Sequence, residues 1–143
     1  AYQAVAGGFE LSAGYRRMQY PHDHADLFSA GIAKYTGNWY LRARTTIVPK
    51  GGTTGVSGSL SVRRYLASPD EYLDVQGGLG EELLTVGTGP NGPDVQVRPN
   101  RFAAARIHKL LTPRLGVSVG ATYNSTDGFP DRRGLTVGVS HRW

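Results

Sequence analysis

Serine, histidine and carboxylate side chains occur in this chain at spacings that invite an acyl-transfer reading. A hydrolytic triad needs a hydroxyl nucleophile, an imidazole within hydrogen-bond reach and an acid that orients the imidazole. Adjacent Ser140 and His141 cannot supply the first two, because neighbours on an extended strand point to opposite faces. His108 and Ser118 can face each other from consecutive strands, with Asp74 on the strand before as orienting acid. No motif surrounds them, so His108 is expected to be an interior hydrogen-bonding group and the chain not an enzyme. A lipid A deacylase-like hydrolase is the alternative. Metal chemistry would start from His22-Asp23-His24, but two imidazoles without a third ligand fall short of a zinc site, and no metal is expected. Cysteine is absent, which removes thiolate ligands and disulfides. No cofactor is expected.

The remaining chemistry is cationic. Sixteen Lys and Arg against eleven Asp and Glu give a net charge of +5. These cations are scattered, not gathered into a stripe interleaved with stacking aromatics, so a nucleic-acid partner is not expected. A positive balance instead suits contact with anionic outer-membrane lipids and lipopolysaccharide.

Whether such side chains meet depends on the strands that carry them. Over Gly134–Trp143, Leu135, Val137 and Val139 share one face, Thr136, Gly138 and Ser140 the other, and the sequence stops on an aromatic residue. An apolar-out, small-or-polar-in strand ending at an interfacial aromatic is expected of an outer-membrane β-barrel. The apolar fraction of 39% and mean hydropathy of -0.33 do not oppose this. A barrel strand needs only alternate apolar residues, whereas a spanning helix needs a run of roughly 20, which is nowhere present.

The same alternation predicts strands over Phe9–Tyr15, Trp39–Ile47, Val56–Val62, Leu73–Leu79 and Arg114–Asn124. Leu27–Tyr35 fits either phase, and Phe102–Leu111 is placed with Arg106 and His108 inward. The expected fold is therefore all-β: one domain over 1–143, an eight-stranded antiparallel up-and-down transmembrane β-barrel. Short links are expected at Thr36–Asn38, Ala67–Asp70 and Thr112–Arg114, and long loops at Met18–Asp26, Glu81–Asn100 and Ser125–Arg133; Pro49–Thr54 departs from the long class. Short turns mark the periplasmic side of such barrels, so both termini are expected there. The opening on Ala1 without a basic or apolar leader fits a mature form or a piece of a longer protein.

On these phases the interior receives Glu10, Arg16, Arg42, Arg44, Arg63, Asp74, Arg106 and Arg142. A narrow barrel fills its bore with side chains, so these should form a charge network, with guanidinium forks bridging Glu10 and Asp74 and with Tyr40, Tyr65, Tyr72 and serine hydroxyls completing it. A sharper reading makes the same cations an anion site or path. Trp39 and Trp143 are expected as interfacial aromatics, Trp143 also as part of the insertion signal.

Four segments carry a family resemblance: Gly8-Phe-Glu-Leu-Ser-Ala-Gly-Tyr15, Lys34-Tyr-Thr-Gly-Asn-Trp-Tyr-Leu41, Gly58-Ser-Leu-Ser-Val-Arg-Arg-Tyr-Leu66 with nearby Asp70-Glu-Tyr72, and the terminal Gly-Val-Ser-His-Arg-Trp. The chain resembles the YaiO-type outer-membrane β-barrel domain, departing from it in the Glu81–Asn100 segment and at His141. The resemblance implies an anchor or assembly element in the bacterial outer membrane, beside or after a periplasmic helical-repeat scaffold, in systems that handle envelope or exported polysaccharide. Barrel-assembly machinery is the implied partner during insertion. No catalytic residues are carried over, and a small-solute pore is a further alternative.

Overall fold

Side chains that alternate at period two can sort onto two faces only if neighbouring strands keep register, and the ladder of this chain does so. The computed structural model describes residues 2–20, 23–50, 52–89 and 92–141, with side chains for all of these except 2, 20, 23, 84–89 and 92–95. Nine antiparallel strands follow one another as a meander, each hydrogen-bonded to the next. They are β1 (Tyr2–Val5), β2 (Phe9–Tyr20), β3 (Asp23–Thr36), β4 (Trp39–Lys50), β5 (Thr53–Tyr65), β6 (Tyr72–Gly89), β7 (Gly92–Leu110), β8 (Leu115–Thr126) and β9 (Arg132–His141). A 3-10 turn at Ala6–Gly8 joins β1 to β2.

The register places residues of one chemistry in rows. Glu10, Ala33, Arg42, Ser61, Gln76, Ala104, Thr122 and Gly134 stand side by side from β2 to β9, and Leu11, Ile32, Ala43, Leu60, Gly77, Ala103 and Tyr123 form the next row on the opposite face. The phase of β3 is thereby fixed: Gly31 and Ala33 lie with the polar face, Phe28 and Ile32 with the apolar one. Exposure follows the same division, since along β5 the polar-face residues are partly buried and the others exposed. The polar face is therefore the sheltered, inward one.

That inward surface is built from small partners. Ser12 faces Gly31, Gly14 faces Ser29, Ser59 faces Gly78, Ser118 faces Gly138 and Thr122 faces Gly134. At Gly31, Gly14, Gly138 and Gly134 a Cβ would meet the opposing hydroxyl within 2.9 Å, so the missing methyl makes room for the oxygen.

Two expectations are corrected. The described residues form nine strands rather than eight, with no pairing of β9 to β1 or β2 among them: β2–β9 correspond to the expected eight, and β1 adds a short strand on the edge of β2. The long loops are also largely absent. Met18–Asp26 and Glu81–Asn100 are mostly strand, so that β6 and β7 reach 18 and 19 residues with one register shift between Thr85 and Gly87. Glycine and proline are tolerated there because β7 has lost a neighbour: β8 ends at Thr126 opposite Asn100. The Pro99 carbonyl accepts the Asp127 N–H on that side. Its imide nitrogen lies along the same edge, so no ladder bond to β6 is lost.

With the strands extended, the linkers no longer sort into short and long. Gly37 and Asn38 form a two-residue turn in which Gly37 takes φ +54°, the conformation that first position requires. Ala6–Gly8, Leu66–Glu71 and Leu111–Arg114 close the other hairpins on that edge, and β2 begins and β9 ends along it.

Candidate functional site

The sheltered polar face is the place where side chains could act, and its centre is an ion pair. Arg63 and Asp74 are direct neighbours on β5 and β6, with Arg63 Nε donating to Asp74 Oδ2 at 2.9 Å. Arg106 faces the same Asp74 from β7. The Arg63 guanidinium also lies 4.2 Å from the centre of the Tyr72 ring. With Gln76, Gly120, Thr122 and Thr136, these residues line a cavity of about 260 Å³.

Tyr72 passes this arrangement on to His108, whose ring stacks on it at 5.6 Å. His108 Nδ1 meets the Asp70 carbonyl, and Nε2 lies 3.3 Å from Ser140 Oγ. A carbonyl only accepts, so the proton sits on Nδ1 and, in the neutral ring, the Ser140 hydroxyl donates to Nε2. Glu71, almost wholly buried, closes the turn by accepting the Leu110 N–H at 3.2 Å.

The proposed triad does not assemble. His108 and Ser118 are opposite in register as expected, but the imidazole reaches past β8 to Ser140 on β9. Gly116 permits this, since a Cβ there would lie 2.7 Å from Ser140 Oγ and 2.8 Å from His108 Nε2. Asp74 is engaged by Arg63 and does not orient His108. The signal that would have found Ser140 was the glycine between it and His108. Of the metal candidate, His24 lies 3.8 Å from Asp26, and His22 is outside the described residues.

The expected interior charges do not gather into one network among the described residues. Arg63, Asp74 and Arg106 gather as described. Arg42 and Arg44 lie inward one row and two rows away, flanked by Ala33, Ser61, Gly31 and Ser59. Arg42 Nη2 and Arg44 Nε are buried without a hydrogen-bond partner. Glu10 stands in the Arg42 row but two strands away, and no fork bridges them among the described residues; Arg16 lies at the far end of β2 opposite Leu27. Arg142 and Trp143 fall outside the described residues.

A second polar cluster lies toward the opposite edge. Asn100 Nδ2 donates to Thr126 Oγ1 at 2.7 Å, and that hydroxyl donates to Glu82 Oε2 at 2.9 Å, crossing β7. On the outward face, Trp39 sits at the Gly37 edge with the Arg64 guanidinium 5.3 Å over its ring, and Lys34 covers Phe9 at 4.5 Å. Near the other edge, Tyr15 packs on Phe28 at 5.2 Å, and Tyr123 Oη donates to Asp131 at 2.9 Å.

Comparison with curated proteins and with solved structures finds no match. The family model described as the YaiO membrane beta barrel domain matches residues 1–82, more than half of the chain. With an all-β meander, a polar inward face and an apolar outward one, the chain belongs to the YaiO membrane β-barrel domain family.

Proposed function

We propose that this chain is a bacterial outer-membrane β-barrel that closes β9 against the β1–β2 edge and keeps both ends on the periplasmic side. It serves as anchor or assembly element for a periplasmic partner in an envelope-polysaccharide system. The observation that carries this reading is the outward face. Leu60 is 66% exposed, Leu79 71% and Leu135 86%, while the buried apolar side chains among the described residues are Ala25 and Ala33. An apolar face of that extent requires a cover, and lipid accepts a sheet only when its edges are joined.

Dimensions agree. Eight residues separate Trp39 from Ile47 on the outward side of β4, roughly 26 Å along the strand and near 20 Å after a barrel tilt of about 40°, close to the apolar band of such barrels. Aromatic residues stand at both rims of this band, as an interfacial belt requires.

In cells, the protein should fractionate with the outer membrane and run faster on gels before boiling than after. Because the chain lacks cysteine, single substitutions test orientation. Asn38→Cys should be shielded from an impermeant maleimide in intact cells and Asp127→Cys labelled; the reverse pattern inverts the topology. Deleting the gene should reduce surface polysaccharide, and unchanged polysaccharide overturns the anchor role.

A hydrolase is the second reading, favoured by the Ser140 hydroxyl at 3.3 Å from His108 Nε2. It predicts an altered lipid A profile for His108→Ala, and an unchanged profile sinks it.

A further inference from the structure

We propose that Arg42 and Arg44 form an oxyanion site on the inward face, one that takes a phosphate-bearing group. The two arginines are alternate residues of β4 and share a face, so their Cα atoms stand about 7 Å apart. Their register neighbours are alanine, glycine and serine, never a carboxylate. Arg42 Nη2 and Arg44 Nε are nevertheless out of contact with solvent and without a hydrogen-bond partner. Arg63, the inward cation of the adjoining row, shows the contrast, because its Nε holds Asp74 at 2.9 Å.

A buried guanidinium N–H without an acceptor is destabilising, and more so than a neutral donor. Both residues are otherwise half-buried, so the rest of each guanidinium can reach an anion in the bore while these two N–H groups await an acceptor. The groups around the pair select the chemistry. Two guanidinium forks present N–H groups in a plane that matches paired oxygens, and the Ser59 and Ser61 hydroxyls, opposite Arg44 and Arg42, add donors from β5. Two cations and two hydroxyls fit a dianion with three or more acceptor oxygens better than a single carboxylate. Arg42 lies three residues, about 10 Å, from the rim at Trp39. A free phosphate in the bore and a lipid phosphomonoester entering from that rim carry the same chemistry, and the test separates them. This site goes beyond the anchor role and depends only on the inward face.

The test uses the full chain refolded into phosphatidylcholine vesicles and titrated calorimetrically with inorganic phosphate at low ionic strength. Saturable one-to-one binding is expected, weakened about tenfold or more by Arg42→Gln and by Arg44→Gln. Arg64→Gln, on the outward face, should leave it unchanged. In vesicles containing phosphatidic acid, competition by the lipid would make its head group the occupant, and undiminished phosphate binding would make it the free anion. Absence of saturable binding in the phosphatidylcholine vesicles, or equal binding by wild type and both glutamine variants, overturns the site. Gel mobility before boiling reports insertion in the same samples, so a chain that inserts and does not bind phosphate refutes the site alone.

Discussion

A methyl group at Gly116 would stand 2.7 Å from Ser140 Oγ, so the bridge between His108 and Ser140 exists by virtue of a missing Cβ. Gly116→Ala should break it and destabilise the protein by about 1–3 kcal/mol, read by urea titration of the inserted chain; Ser118→Ala should have a much smaller effect. At the ion pair, Asp74→Asn leaves Arg63 without its counter-charge. The Arg63 side chain is 35% exposed, so the loss should be about 1–2 kcal/mol rather than the larger cost of a fully buried pair. The double variant Arg63→Gln, Asp74→Asn should recover part of it. The facing of Arg63, Asp74 and Arg106 could be read in the sequence because alternation alone decides which way a strand residue points. The partner of His108 could not, because it depends on how far a side chain leans across a neighbouring strand.

Among the elements, the β6–β7 hairpin departs most from expectation. The pattern over Glu81–Asn100 is broken by glycine and proline, and these usually mark loops. Pairing continues because one edge of β7 is free of β8, a tertiary circumstance that no local pattern records. From the Glu81–Pro99 pair onward no register pair joins the hairpin to β5 or β8, and Leu83 touches β5 beside Gly55. Replacing residues 83–97 by a two-residue Asn-Gly turn should therefore keep insertion and gel mobility unchanged.

The β8–β9 link behaves differently. Hydrogen bonds from Ser125 and Tyr123 hold the Asp131 carboxyl below its ordinary range. A carboxyl lowered in the folded state binds protons more readily in the unfolded chain. Its contribution is therefore complete above the ordinary carboxylate pKa of about 4 and disappears as pH falls through the folded value. The Tyr123 ring resonance should shift on acidification below that range, and Asp131→Asn should abolish the shift.

For the molecule as a whole, the outward apolar face determines where it can reside. Leu60→Lys, in the middle of the Leu11–Ile32–Ala43–Leu60 row, should cost about 2–4 kcal/mol of insertion free energy. Ser57→Ala, on the other face of the same strand, should change it by about 1 kcal/mol or less. Vesicle partitioning measures both. Faces, meander order and the positions of β2–β9 were legible, since each follows from period-two patterning and short-range turns. Strand ends, β1 and the unjoined edges were not, because they depend on pairing partners rather than on the local pattern. The shared edge at which β2 begins and β9 ends bears on how such a chain can be edited. Inserting or deleting a complete hairpin between them leaves the start of β2 and the end of β9 on one edge, whereas a single added strand would carry one of them to the opposite edge. The number of strands between those two points can therefore change by twos with the shared edge kept, and a unit step separates them.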